Sequence, residues 1–297
     1  MDNTISRIAP LLQTKLRDTC ICLAGDGCYY MTGSIGEDIW DHNDGIPLWK
    51  SEDLINWTDL GLVWTFEKDA TWQKAWRTHH EKPIRSIWAP EIHYIRGNFF
   101  LTYSTPPGGT GILKSTTGRP EGPYVNALRE DKPLTDGIDA SLFEDEDGQV
   151  YFLYGGSMIA RMDETMSALA EEPRRLLCDR KDPDPNRHAS RGYKGMDEIG
   201  FEGAFLFKFQ KKYFLSCGDF WYGRYSSIVA VSDSLYGPYR NRHEAVTCGG
   251  HNNYFQDKDG QWWSTFFGND PSAPFREKPA IVKVAIDMEQ ERIYPFD

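Results

Sequence analysis

Five times along the chain a turn is followed by two adjacent aromatic residues at the start of a β-like run. The stretches are "GDGCYYMTG" (Tyr29-Tyr30), "IRGNFFLTYS" (Phe99-Phe100), "DEDGQVYFLYG" (Tyr151-Phe152), "FQKKYFLSCG" (Tyr213-Phe214) and "DKDGQWWSTFFG" (Trp262-Trp263). Their spacing of roughly 50–70 residues is close to that of propeller blades. A further strand follows each of the first four pairs, in "PLWKSEDLINWTDLG", "GILKSTTGRPEGPYV", "SMIARMDETMSAL" and "SIVAVSDSLYGPYR". After the fifth, "PAIVKVAIDMEQERIYPFD" supplies closing strands. The pattern predicts an all-β fold, a five-bladed β-propeller with four-stranded antiparallel blades, as one domain over residues 1–297. A ring of blades leaves only short, protected edges.

Composition agrees. Of 297 residues, 14% are aromatic, and 27 Gly and 17 Pro favour short strands and tight turns over long helices. A formal charge of −11 argues against nucleic acid or an anionic membrane as partner. No apolar run approaches the 18 residues expected of a spanning helix. The six Cys show no C-x-x-C or zinc spacing. Cys20 and Cys22 alternate along a strand and read as small buried hydrophobes. The start, "MDNTISRIAPLLQ", lacks a charged-then-apolar leader. That leaves a cytoplasmic location and a mature exported form both open. Nothing in the sequence sets an oligomeric state.

The first strand of a propeller blade is the innermost, so its start lies near the axis. Reading back from each aromatic pair gives Asp18 ("LRDTCICL"), Glu91 ("WAPEIHYI"), Asp139 ("GIDASLFED"), Glu202 ("GFEGAFLF") and His251 ("GGHNNYFQD"). All five are ionisable. Taken singly, each reads as a turn cap; together they point to one central pocket. Clustered carboxylates cannot all ionise at their ordinary pKa. One is driven up and holds a proton while another stays ionised, the arrangement used in two-carboxylate glycoside hydrolysis. The apolar neighbours of Glu202 single it out as the carboxyl that holds the proton.

Other stretches carry sugar-binding side chains. "TWQKAWRTHHEKPIRSIWAP" contains Trp72, Trp76, His79 and His80, and Trp72 is a candidate pocket wall. Adjacent His79 and His80 are poorly placed to chelate one zinc ion. "SIGEDIWDHNDGIPLW" brings Trp40 within reach of the funnel. "CDRKDPDPNRHASRGYKGMDEIG" reads as a solvated mixed-charge loop, with Arg191 a candidate for an anionic sugar. "SEDLINW" superficially resembles the sialidase Asp-box but lacks its glycine, so Asp53 and Trp57 read as turn packing. "EDEDG" and "QDKDG" read as hairpin turns rather than calcium loops.

Taken in order, "RDTCICLAGDGCYYMTG", "SEDLINW", "IWAPEIHY", "GIDASLFEDEDGQVYFLYG", "FEGAFLFKFQKKYFLS", "SDSLYGPY" and "GGHNNYFQDKDGQWW" resemble glycoside hydrolase family 43 over nearly the whole chain. The resemblance implies an inverting glycosidase. Asp18 matches the general base, Glu202 the general acid, and Asp139 the carboxylate that tunes and orients the acid. His251 matches an axial histidine that in many members supports a water or a metal ion, often calcium, and Trp88 matches a pocket-lining position. No cofactor is required. Two departures mark a divergent branch: Asp18-Thr19 replaces the usual Asp-Pro, and Glu202-Gly203-Ala204 replaces Glu-Gly-Pro. The implied substrate is an oligo- or polysaccharide bearing terminal α-L-arabinofuranose or β-xylose. A galactosidase, another exo-glycosidase, a glycan lyase and a non-catalytic glycan-binding propeller are the alternatives.

Overall fold

A computed structural model describes residues 4–36, 38–74, 77–79, 82–106, 108–179 and 196–297. Blade one comprises β1 (Arg17–Leu23), β2 (Tyr29–Ser34), β3 (Gly45–Ser51) and β4 (Trp57–Thr65), followed by a single helical turn, α1 (Phe66–Asp69). A small ribbon, β5 (Arg77–His79) and β6 (Lys82–Ile84), precedes blade two. Blade two is β7 (Trp88–Ile95), β8 (Asn98–Ser104), β9 (Thr110–Ser115) and β10 (Tyr124–Asn126). Blade three is β11 (Ser141–Glu144), β12 (Val150–Tyr154), β13 (Met158–Arg161) and β14 (Arg174–Arg175). A second ribbon, β15 (Leu177–Asp179) with β16 (Met196–Glu198), leads to blade four. That blade is β17 (Glu202–Phe209), β18 (Lys212–Trp221), β19 (Arg224–Ser232) and β20 (Arg240–Val246). Blade five is β21 (Tyr254–Gln256), β22 (Trp262–Phe266), β23 (Ala280–Asp287) and β24 (Arg292–Pro295).

Each blade is a four-stranded antiparallel meander whose strands lie in chain order. The innermost strands touch around the axis: β1 meets β7, β7 meets β11, β11 meets β17, and β21 meets β1. The ring closes where Gly203 packs on His251. The Asn253 side chain ties blade five to blade one, accepting from Ile21 N–H at 3.3 Å and donating to Ile21 O at 3.2 Å. Among the described residues no helix is long and apolar enough to cross a membrane.

The core is divided into five clusters, one between each pair of neighbouring blades. This accounts for the paired aromatics. The second strand of a blade is buried on both faces, and successive side chains point to opposite faces. Each pair therefore splits between two interfaces. Tyr30 and Phe99 meet between blades one and two, while Phe100 and Phe152 meet between two and three. Tyr151 and Tyr213 share the next interface, Phe214 and Trp262 the one after, and Tyr29 with Trp263 close the circle. Full burial of one such ring stabilises the fold by roughly 2–3 kcal/mol.

The turns follow the sequence reading. Asp53 accepts from the N–H groups of Ile55 and Asn56, and Trp57 Nε1 donates to Leu54 O. Those Asn56 and Ile55 bonds hold the Asp53 carboxyl below the usual range. Asp145 and Asp257 each open a tight hairpin turn by pairing with Gln149 and Gln261. None of the six cysteines, all among the described residues, forms a disulfide; Cys20 is buried and Cys22 half-buried.

Candidate active site

Each innermost strand begins with a kink. Asp18, Ala89, Asp139, Gly203 and His251 have φ of 53°, 43°, 59°, 62° and 54°, the left-handed region that L-residues seldom adopt. In blades one, two and four the pairing register slips just there, between Arg17 and Cys20, Trp88 and Glu91, and Glu202 and Phe205. Such bulges re-aim side chains and are frequent beside active sites. The blades thus present equivalent dipeptides to the axis: Arg17-Asp18, Trp88-Ala89, Ile138-Asp139, Glu202-Gly203 and Gly250-His251.

This register revises the expectation that five ionisable groups share one level. Asp18, Asp139 and His251 occupy the kink itself, and Glu202 stands one residue before it. Glu91 lies two residues beyond, level with Cys20; blade two places Ala89, and blade four Gly203, where the other three carry Asp or His. Glu91 is buried, with Oε2 3.2 Å from His93 Nε2. It lies deeper in the blade than the other four.

At the kink level the groups converge on His251. Its Nδ1 lies 3.4 Å from Asp18 Oδ1 and 3.8 Å from Asp139 Oδ2. Asp139 Oδ2 also accepts the N–H of Gly203 at 3.0 Å. Two serines at the ends of second strands brace the ring. Ser34 Oγ donates to Asp18 Oδ2 and accepts from Ala89 N–H, both at 2.7 Å. Ser104 Oγ accepts from Asp139 N–H at 3.1 Å and donates to Trp88 O at 3.2 Å. Each serine joins its own blade to the next. The Tyr225 hydroxyl donates to Glu202 Oε1.

Burial pushes the Asp139 carboxyl up to about 7, with the charges of Glu202 and Asp18 adding to it; His251 opposes. Burial works the other way on His251, but the carboxylates of Asp139, Asp18, Glu202 and Glu91 outweigh it and lift the imidazole to about 9. Burial, then the charge of Glu202, pushes the Tyr225 phenol well up. Asp139 thus carries a large upward shift caused by its burial and its carboxylate neighbours.

Around the rim, Trp88 Nε1 donates to the carbonyls of Ile39 and Trp40 at 3.2 Å each. The Trp40 ring stands edge-on to Trp88 at 5.9 Å and is 55% exposed. The Arg17 guanidinium lies 4.8 Å from the Trp40 ring and 5.4 Å from that of Phe267. Its Nη1 bonds Glu277 Oε1 at 2.9 Å. Trp72 takes another position. It stacks on Tyr103 at 6.1 Å, packed against the core between blades one and two, and lines a side cleft with Phe66, Arg85 and Asp131. Arg191, Trp76 and His80 lie outside the described residues, as does the side chain of His79.

Sequence reasoning missed Arg17, Ser34, Ser104 and Tyr225. A signal for the serines was present: each stands five residues after the first member of an aromatic pair, in "YYMTGS" and "FFLTYS". Arg17 adjoins Asp18, but nothing in its type announced an axial place.

The donor set does not fit direct metal ligation. His251 Nδ1 already faces two carboxylates, at 3.4 Å and 3.8 Å, so a metal ion could not take that nitrogen without displacing them. Among the described residues no three His, Cys, Asp or Glu side chains are grouped to hold a metal ion.

The sequence profile of Glycosyl hydrolases family 43 matches residues 8–289. The chain belongs to glycoside hydrolase family 43. This family 43 chain is 30% identical over 235 residues to the β-D-galactofuranosidase xynD of Aspergillus niger, covering 71% of itself and 62% of that protein. It is 25% identical over 291 residues to a putative β-xylosidase of Escherichia coli K12, covering 88% of itself and 49% of the relative. It thus spans less than two thirds of the length of each of these two relatives. Solved structures share the fold. An endo-arabinase from Bacteroides thetaiotaomicron superposes with a TM-score of 0.72 at 22% identity, covering 94% of this chain and 97% of that one. A Xanthomonas citri GH43_1 enzyme complexed with xylotriose gives 0.72 at 22% identity, covering 98% and 94%.

Proposed function

We propose that this family 43 chain is an exo-acting, inverting glycosidase that removes a terminal sugar from an oligo- or polysaccharide. The observation that carries it is the gathering of Asp18 and Asp139 about His251, with Glu202 adjoining Gly203, which is bonded to Asp139. In this reading Asp18 takes a proton from water as the water oxygen attacks the anomeric carbon. The glycosidic C–O bond breaks, and Glu202 gives its proton to the departing oxygen. Asp139, fixed by Gly203 N–H and Ser104, orients the acid's backbone and holds the charge balance with His251. Trp40 and Trp88 at the rim offer apolar faces to the terminal sugar. No step runs through a metal ion; a calcium ion held through water near His251 is a bystander here.

The sugar is α-L-arabinofuranose or β-xylose, in line with the family's xylosidase and arabinofuranosidase relatives. The Aspergillus niger relative's name favours a second reading, terminal β-D-galactofuranose. The test is a panel of p-nitrophenyl α-L-arabinofuranoside, β-D-xyloside and β-D-galactofuranoside, with proton NMR on fresh product. Aglycone release with inverted configuration is expected from at least one. Retention of configuration sinks the mechanism, and no release with glycan binding intact favours a non-catalytic propeller.

A further inference from the structure

Beside Glu202 lies an aromatic patch that the reading above leaves unused. Strands β18 and β19 continue past the level of Glu202, which pairs with Gly218. Three further pairs, Asp219–Ser226, Phe220–Tyr225 and Trp221–Arg224, carry the ribbon outward. Phe220 and Tyr225 are direct cross-strand partners and share one face. Phe201, the residue before Glu202, completes the group. It stacks on Phe220 at 5.9 Å and 23°, and leans on Tyr225 at 5.9 Å. Tyr225 is buried, yet Phe201 and Phe220 are each 38% exposed.

Phe201 and Phe220 each keep more than a third of their surface open beside the acid, and covering that apolar area with a ligand would be stabilising. The ribbon is not loose. Arg242 and Asp219 form a buried ion pair at its base, and Arg242 Nε donates to Ile199 O at 2.6 Å. Tyr225 N–H donates to Asp270 Oδ2 at 2.7 Å. The rings are held outward by a rigid support.

Tyr225 joins the patch to the chemistry. Its ring touches both phenylalanines, and its hydroxyl donates to Glu202. The oxygen that Glu202 protonates is the one from which the leaving group hangs. The first leaving-group ring therefore comes to rest beside these residues.

We propose that Phe201 and Phe220 form a platform for the leaving-group side of the substrate, stacking on the apolar C–H face of a neutral sugar ring. Binding there secures the remote part of the substrate and holds its glycosidic oxygen against the acid. The inference rests on Glu202 being that acid. It adds a specificity surface, on the blade-four side, that Trp40 and Trp88 do not supply.

The test compares three substrates with one terminal sugar: its glycosyl fluoride, its methyl glycoside and an oligosaccharide. For Phe220→Ala and Phe201→Ala, the loss of kcat/KM should be about tenfold greater on the oligosaccharide than on the fluoride. Phe220→Trp, which keeps a ring, should restore most of the difference. Equal losses on fluoride and oligosaccharide overturn the platform, as does no loss on either. Should the alanine variants fail to fold, Phe220→Leu and Phe220→Trp carry the same comparison. A wild type inactive on all three substrates defeats the glycosidase reading and the platform together. Wild-type activity with equal losses defeats the platform alone.

Discussion

The backbone N–H of Gly203 donates to Oδ2 of Asp139 at 3.0 Å, so the residue next to Glu202 is bonded to a carboxylate from the preceding blade. The position of the proposed acid is thus set by a bond between blades. Gly203 also lies against His251 with φ of 62°, and a Cβ there would approach His251 Cγ to 2.9 Å and its Cα to 3.1 Å.

Gly203→Ala should therefore be costly for two reasons, a strained φ and a clash with the axial histidine. A stability loss of about 2–4 kcal/mol is expected in urea unfolding, with kcat lowered by more than about tenfold. A variant as stable and active as wild type would show that the blades do not fix this residue.

The two proposed proton carriers should separate by leaving group. Glu202→Gln should lose roughly 10³-fold in kcat on a methyl glycoside. It should lose far less on a glycosyl fluoride, whose departure needs no acid. Asp18→Asn should lose activity on both, because water activation is common to them. If both variants respond alike to the two substrates, the roles are misassigned.

Stability should fall as pH rises above neutrality. His251 is lifted to about 9, so the fold binds its proton more tightly than the unfolded chain does. Its contribution is complete below about 6.5 and disappears as pH climbs through about 9. Asp139 is raised too, so its share is lost earlier, between 3.8 and about 7. Unfolding free energy measured from pH 6.5 to 9 should drop by an amount on the order of 2 kcal/mol, and His251→Asn should flatten that slope. An unchanged slope in the variant would assign it elsewhere.

Arg17→Met should disturb the rim more than the chemistry. The guanidinium packs on Trp40 and bonds Glu277, and methionine keeps only the bulk. KM should rise about tenfold with kcat changed less than about threefold. A fall in kcat alone would place Arg17 closer to the reacting atoms.

EDTA dialysis tests the calcium expectation. With His251 Nδ1 facing two carboxylates, kcat should change by less than about twofold, and calcium should not restore more. A large calcium-reversible loss would mean an ion bound through water is part of the working site.

Much of this was legible because the fold is written in pairs. Tyr29-Tyr30 or Trp262-Trp263 can be read from the chain since a second strand buried on both faces needs large apolar groups at successive positions. Counting back to the strand starts found Asp18, Asp139, Glu202 and His251 for the same reason. Glu91 was misplaced by two residues because the register slip beside Ala89 leaves no mark in residue type. Trp72 shows the converse limit: an aromatic suited to sugars serves equally well stacked on Tyr103.

The sequence alone determined the number of blades, their strand order and the residue types brought to the axis, because these follow from local periodicity and turn chemistry. Only the tertiary structure decided which atoms meet. The upward shift of Asp139 comes from its burial and from the nearby charges of Glu202 and Asp18, against the opposing effect of His251, and these depend on how the blades are placed. Ser34 and Tyr225 reach Asp18 and Glu202 within their own blades, 16 and 23 residues away, whereas Ser104 meets Asp139 and Arg17 meets Glu277 across 35 and 260 residues, separations closed by the packing of blade on blade.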